Sequence, residues 1–447
     1  MVKLGPMKRF LTALALLIAL PLAGQVQAGQ PLADGAKDCH IGAYRLSNGT
    51  VVDIAPSDGE TLRWRTFDGE TGALHPTADG RWTSTFGWTD RPDGRAISFS
   101  DCAKGLIAFD GRTGKRIRFD RMETRFPGRG VDLAGRLVLP KGRGKVPIVV
   151  LVHGSERDSA RDIYFLQRLL PAEGIGVFVY DKRGTGGSGG AYSQDFDLLA
   201  DDAVAAMREA RRLAGPRAGR MGFQGGSQGG WVVPLAANRE PVDFAIISFG
   251  LAVTVLEEDQ QEVELEMRLK GHSPEQIAKA LEVAKAAEKV IASGFTEGFD
   301  EFDAVRAKYR DEPWYKDLHG NFTWVLLPYD KAKLIELGAG FKWGTPFDYE
   351  PMPTLEAATT PQLWALGSDD LEAPSAETSR RIRSLESKGL PFKLAVFPGA
   401  EHGLTLYETG PTGERVSTRY APGYFRMMAD FIRTGRLASR YGDARVE

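Results

Sequence analysis

The run GFQGGSQGGW, Gly222 to Trp231, sets one serine among five glycines in ten positions. RMGFQ reads as a strand and SQGGWVVPLAANRE as a helix, so the chain turns from strand to helix at Ser227. Gly225, Ser227 and Gly229 spell G-x-S-x-G, whose serine takes a strained backbone conformation on a tight turn. Neighbours two residues away must then lack side chains, and Gly225 and Gly229 meet that need. The turn also sets Ser227 at a helix N-terminus, where N–H groups and the helix dipole favour developing negative charge. The flanking strand and helix separate this reading from a flexible glycine-serine connection.

Working outward, the scaffold around that turn is a parallel sheet. Apolar runs without alternation recur at RLVLP (136–140), PIVVLVHG (147–154), GVFVYDKRG (176–184), FAIISFG (244–250), QLWALGS (362–368) and KLAVFPG (393–399). Such runs mark strands buried on both faces, and helical stretches at 197–213 and 375–387 lie between them. Residues 130–437 therefore read as an α/β domain, a mostly parallel sheet with helices on both faces. Residues 251–345 interrupt it with helix formers and then aromatics, too long for a loop, and read as a helical cap. Of its aromatics, Trp314, Tyr315, Trp324 and Trp343 are expected to be mostly cap core, with a pocket lining as the alternative. Before the α/β domain, residues 37–125 alternate short β-rich runs with Asn48-Gly49, Asp58-Gly59, Asp68-Gly69, Asp79-Gly80, Asp93-Gly94 and Asp110-Gly111. That pattern predicts a small antiparallel β domain built from hairpins, with a packing role.

The N-terminus reads as a targeting segment. Lys3, Lys8 and Arg9 precede an apolar run too short to span a bilayer, ending near Val26-Gln27-Ala28, so residues 1–28 are expected to be a cleaved signal peptide. A periplasmic or secreted protein with no stable membrane insertion follows. Losing three positive charges and no acids takes the formal net charge from −2 to −5, which disfavours nucleic acid as a partner. Two cysteines, Cys39 and Cys102, fit one disulfide in an exported chain. His40 beside Cys39 is the one hint of metal binding in the sequence, and a zinc site needs three or four ligands.

The partners of Ser227 decide its chemistry. A serine nucleophile needs a base, and His272, His319 and His402 lie downstream. His402 closes the last strand, in GAEHGL, whereas the other two fall in the cap. GSDDLEAP places Asp369 and Asp370 after the preceding strand, between nucleophile and base. LVHGS ends a strand at His153-Gly154-Ser155, where the Ser155 N–H could join that of Gln228 in an oxyanion hole. Gly184 to Gly189 also match G-x-G-x-x-G, but the next helix begins only near Phe196, which argues against a dinucleotide site.

LVHGS, YDKRGTGGSGG, GFQGGSQGGW, GSDDLEAP and GAEHGL together resemble the α/β-hydrolase superfamily, and within it exported bacterial esterases with a small β domain before the hydrolase. The resemblance covers 130–437, and the oxyanion loop reads HGSE where some lipases have HGGG. It implies Ser227 as nucleophile, His402 as base and Asp370 as orienting acid, with Ser155 and Gln228 at the oxyanion hole. Asp370 has the G-x-x-D-x-x-x-P setting of such acids, from Gly367 to Pro374; Asp369 is one residue off and is expected to cap the following helix or face solvent. The expected activity is hydrolysis of a small carboxylic ester, without metal or organic cofactor. An amidase or peptidase on the same triad and a silent binding protein of the same fold are the alternatives.

Overall fold

The computed structural model describes residues 38–447, so the expected signal segment lies outside the described residues. A short 3-10 turn at Asp38–His40 leads into eight antiparallel strands, β1 (Gly42–Leu46) to β8 (Arg112–Arg116), closed into a barrel. Its core holds Tyr44, Ile54, Trp64, Leu74, Ile97 and Ile107 on the inward face. The expected turns form at Asn48-Gly49 and Asp110-Gly111, where glycines at φ +88° and +74° let the strands reverse. Asp93-Gly94 is a correction: it lies inside a strand, Pro92–Phe99, whose register with its neighbour shifts there, so the glycine relieves a bulge. Cys39 and Cys102 are disulfide-bonded, tying the entry of β1 to a barrel loop with Cα atoms 5.5 Å apart.

The large sheet begins earlier than the alternating pattern suggests. β9 (Asp120–Pro127) pairs along its length with β10 (Asp132–Leu139), so it belongs to the second domain. β11 (Val146–Val152), β12 (Gly176–Tyr180), β13 (Ala218–Gly226), β14 (Phe244–Ser248), β15 (Gln362–Gly367) and β16 (Phe392–Phe397) are mutually parallel, in the order β12-β11-β13-β14-β15-β16. After β16 come β17 (Ala400–Glu401), β18 (Thr405–Thr409) and β19 (Arg415–Tyr420), a separate three-stranded sheet. β20 (Arg440–Tyr441) and β21 (Ala444–Val446) close the far edge beside β16, antiparallel to it.

Helices α1 (Ala160–Ile163), α2 (Leu166–Ala172), α3 (Phe196–Ala214) and α4 (Gly229–Arg239) follow the first strands. The cap runs from α5 (Val255–Leu269), through α6 (Pro274–Ala292), α7 (Phe299–Tyr309), α8 (Thr323–Leu326) and α9 (Lys331–Gly338), to α10 (Met352–Glu356); α11 (Ser375–Ser387) and α12 (Tyr424–Thr434) complete the domain. One core joins α3, α4 and α11 to one face of the sheet, and another joins α2 and α12 to the opposite face. No helix among the described residues is long and apolar enough to cross a membrane.

The topology itself marks a site. From β11 the chain steps outward to β12 and then returns to β13 on the other side of β11. Where the order reverses, the loops leaving β11 and β13 diverge and open a crevice at the carboxyl ends of the strands. Ser155 follows β11 and Ser227 follows β13.

Candidate active site

Ser227 has φ +53°, the left-handed conformation that a side chain rarely adopts, on the turn between β13 and α4. Its N–H donates to Ser248 O at 3.2 Å, which pins the turn to β14. The glycines are needed, though not all for the expected reason. A Cβ on Gly225 would meet Val233 at 2.7 Å, and one on Gly226 would meet the Phe249 ring at 2.4 Å. At Gly229 a Cβ would make only ordinary contacts, the nearest His153 O at 3.4 Å, so that position is less restricted than the motif suggests.

His402 and Asp370 come together as expected. The imidazole Nδ1 lies 3.0 and 3.2 Å from the two oxygens of Asp370, which is buried and also accepts the Ala373 N–H at 2.8 Å. Asp369 is held elsewhere, by the Tyr407 hydroxyl at 2.8 Å and the Ser368 hydroxyl at 2.6 Å. It neither caps α11 nor faces solvent freely, a correction that follows from the three-stranded sheet reaching back over it. Phe249, itself at φ +41°, stands edge-on to His402 with ring centroids 4.9 Å apart. One ring thus touches both the imidazole and the space beside Gly226.

Burial draws the His402 pKa down, but the carboxylates of Asp370 and Glu372, with Glu258 from the cap, more than reverse that and hold it at about 10. Glu372 Oε2 lies 3.6 Å from Nε2, the nitrogen opposite the Asp370 contact. Glu258 is buried and its carboxyl is pushed well up, by burial first and then by Glu262. Neither acid stands out in the sequence, since one is a helix-surface residue by pattern and the other one of many loop carboxylates.

The two candidate oxyanion residues meet through a third that the motif reading passed over. Among the described residues no acceptor takes the backbone N–H of Ser155 or of Gln228. Lys182, fully buried at the end of β12, donates to Gly154 O and, at 3.1 Å, to Gln228 Oε1. In a trans peptide the C=O and the next N–H point in opposite directions. Holding the Gly154 carbonyl therefore aims the Ser155 N–H the other way. Burial pulls the Lys182 pKa down to about 8, against the nearby carboxylate of Glu156. A charged residue closing the apolar run GVFVY was the available signal.

At the mouth, the Tyr192 hydroxyl donates to Ser155 O at 2.6 Å, and the Arg157 guanidinium lies 4.4 Å from the Tyr192 ring and 4.7 Å from the Trp343 ring. Trp314 is buried in the cap core, while Trp343 stands beside this loop. The Gly184–Gly189 loop instead folds around Asp181, which accepts the Gly187 N–H at 2.8 Å and pairs with Arg161 at 2.8 Å. A cleft of about 400 Å³ between the barrel and β19, lined by Glu70, Arg95 and Arg419 among others, contains none of these side chains.

Residues 145–315 match the family model described as "Serine aminopeptidase, S33". Among curated proteins none matches the sequence. Among solved structures, the Pyrococcus horikoshii acylaminoacyl peptidase is similar at 14% identity over 88% of this chain and 57% of that one, with a TM-score of 0.42. A Pyrococcus furiosus esterase is similar at 16% identity over 64% of this chain and 84% of that one, TM-score 0.40. A thermophilic esterase from Thermogutta terrifontis is similar at 20% identity, covering 63% and 91%, TM-score 0.35. The chain spans little more than half the length of the acylaminoacyl peptidases that it matches.

Proposed function

We propose that this chain, which belongs to the α/β-hydrolase superfamily, is an exported serine hydrolase that cleaves small carboxylic esters. The observation that carries the reading is the strained Ser227 at φ +53° on its strand-to-helix turn, in a fold whose next acid and histidine pair at 3.0 Å. In the proposed cycle neutral His402 takes the Ser227 hydroxyl proton as Oγ attacks the acyl carbon. Asp370 accepts the Nδ1–H, holds the tautomer and stabilises the imidazolium. The N–H groups of Ser155 and Gln228 receive the oxyanion, and His402 returns the proton to the departing alcohol. Water then attacks the acyl-enzyme by the same route, releasing the acid and free Ser227.

Export draws support from the signal-like residues 1–28 and from the Cys39–Cys102 disulfide, a bond that persists in oxidising compartments. A peptidase or amidase on the same triad is the second reading. It draws on Glu258 and Glu372 beside His402, carboxylates suited to a substrate ammonium. A fluorophosphonate should label the wild-type protein and fail on Ser227→Ala, with kcat on esters falling by several orders of magnitude. Equal labelling of that folded variant would remove the assignment. Higher kcat/KM on aminoacyl amides than on chromogenic esters would select the second reading.

A further inference from the structure

The interior of the cap gathers acids that this chemistry does not use. α5 carries Glu258, Asp259 and Glu262, and α6 carries Glu288, with exposures of 8, 0, 5 and 6%. Carboxylates so deeply buried need protons, donors or a cation. Asp259 has donors in the backbone N–H groups of Phe322 and Thr323 and in the Thr323 hydroxyl, and Glu288 accepts from Gln260 at 2.9 Å. Glu262 is different. Its Oε2 is buried without a hydrogen-bond partner, while its Oε1 faces Nδ1 of His319 at 3.6 Å. Glu266, one turn further along α5, brings Oε1 to 3.4 Å from the same nitrogen, which is also buried without a hydrogen-bond partner.

An N–H donor would draw one carboxylate to about 2.9 Å, whereas this nitrogen stands almost equally far from two. Separations of 3.4 and 3.6 Å are close to the edges of a tetrahedron whose corners lie about 2.1 Å from its centre, the usual bond length of zinc to nitrogen or oxygen. The three ligand atoms all lie within 4.8 Å of one another. We propose that Glu262, Glu266 and His319 form a binding site for a divalent transition-metal ion of the zinc type, with water completing the coordination. One imidazole and two carboxylates form a borderline-hard donor set that suits zinc, cobalt or nickel better than calcium.

The i, i+4 spacing puts both carboxylates on one face of α5, and the imidazole is steadied by stacking on Trp324, with centroids 5.1 Å apart and planes 8° apart. A bound cation ties α5 to the segment before α8 and offsets the buried charge. The Glu262 carboxyl is pushed up to about 8 by burial, against the pull of His319, which is the strain that a bound cation would relieve.

The test uses tag-free, metal-stripped protein. Equilibrium dialysis should find one equivalent of Zn²⁺, weakened at least about tenfold in each of Glu262→Gln, Glu266→Gln and His319→Ala. Glu288→Gln, in the same compartment but not a ligand, should bind as the wild type does. Co²⁺ should quench Trp324 emission with the same dependence on the three ligands, a readout independent of ester turnover. Should Glu262→Gln lose the cap helices by circular dichroism, Glu266→Gln on the more open side carries the test. No stoichiometric Zn²⁺ in the wild type, or binding unchanged in the ligand variants, would overturn the proposal. Neither result bears on the labelling of Ser227.

Discussion

Asp369 and Asp370 are adjacent carboxylates with different surroundings. Asp370 is buried against His402 Nδ1, whereas Asp369 serves Tyr407 and Ser368. Asp370→Asn should lower kcat by about 10⁴-fold, as the corresponding change does in a serine protease, and Asp369→Asn should stay within about tenfold. The reverse ranking would give the role to Asp369. His402 acts as a base only when neutral, and its neighbouring acids hold its pKa at about 10. Turnover should therefore rise as pH increases from neutral toward that value. Removing one acid favours the neutral form, so Glu372→Gln should move the acidic limb of the kcat/KM profile to lower pH. A limb that stays in place would show that Glu372 does not act on the imidazole. Lys182→Met leaves Gly154 O without its donor and Glu156 without its nearby cation. It should reduce kcat about 10²-fold with KM little changed, the mark of a lost transition-state interaction. A role in packing alone would lower the melting temperature and leave kcat per folded molecule intact.

At the scale of elements, the hairpin that follows His402 is the link between the domains. Trp88 N–H donates to Ser417 O at 2.9 Å and Tyr420 N–H to Gly69 O at 2.9 Å, so barrel loops grip β19 by its backbone. Gly87 lies so close that an added Cβ would sit 2.3 Å from Thr418 O. Gly87→Ala should consequently displace the hairpin and lower kcat while the barrel core stays folded. Retained activity would reduce the barrel to an independent module. The cap contributes differently. Trp343 stands beside Arg157 and Tyr192 at the Ser155 loop, outside the buried cap core. Trp343→Ala should change KM across esters of different acyl size more than it changes labelling by a small fluorophosphonate. Uniform KM values across the series would exclude Trp343 from the substrate pocket.

For the whole molecule, the barrel and the large sheet are fastened by charge as well as backbone. Arg168 of α2 pairs with Asp53 of the barrel at 2.6 Å, both buried. The disulfide spans 63 residues, and closing a loop of that length stabilises by about 4 kcal/mol in the chain-entropy account. Reduction should lower the unfolding midpoint by up to that amount, while the folded fraction still labels at Ser227, since both cysteines lie in the barrel region. Loss of labelling without loss of folding would show that the barrel shapes the site directly.

Local sequence determined what depends on local physics. Buried parallel strands need continuous apolar runs, a strand-to-helix turn with a strained serine needs small neighbours, and hairpins need residues that tolerate positive φ. The sheet strands, Ser227 and most barrel turns were therefore legible, and motif resemblance singled out Asp370 and His402. Tertiary structure decided whatever depends on segments far apart in the chain. β9 follows the barrel in sequence but joins the large sheet, because β10 offers it a partner along its whole length. Gly226 rather than Gly229 is the tight position, because Phe249 arrives from β14. Lys182 spans Gly154 and Gln228 only when β11, β12 and β13 lie side by side. Glu262, Glu266 and His319 converge only once the cap has folded, and burial then makes three ordinary polar residues a shared electrostatic problem.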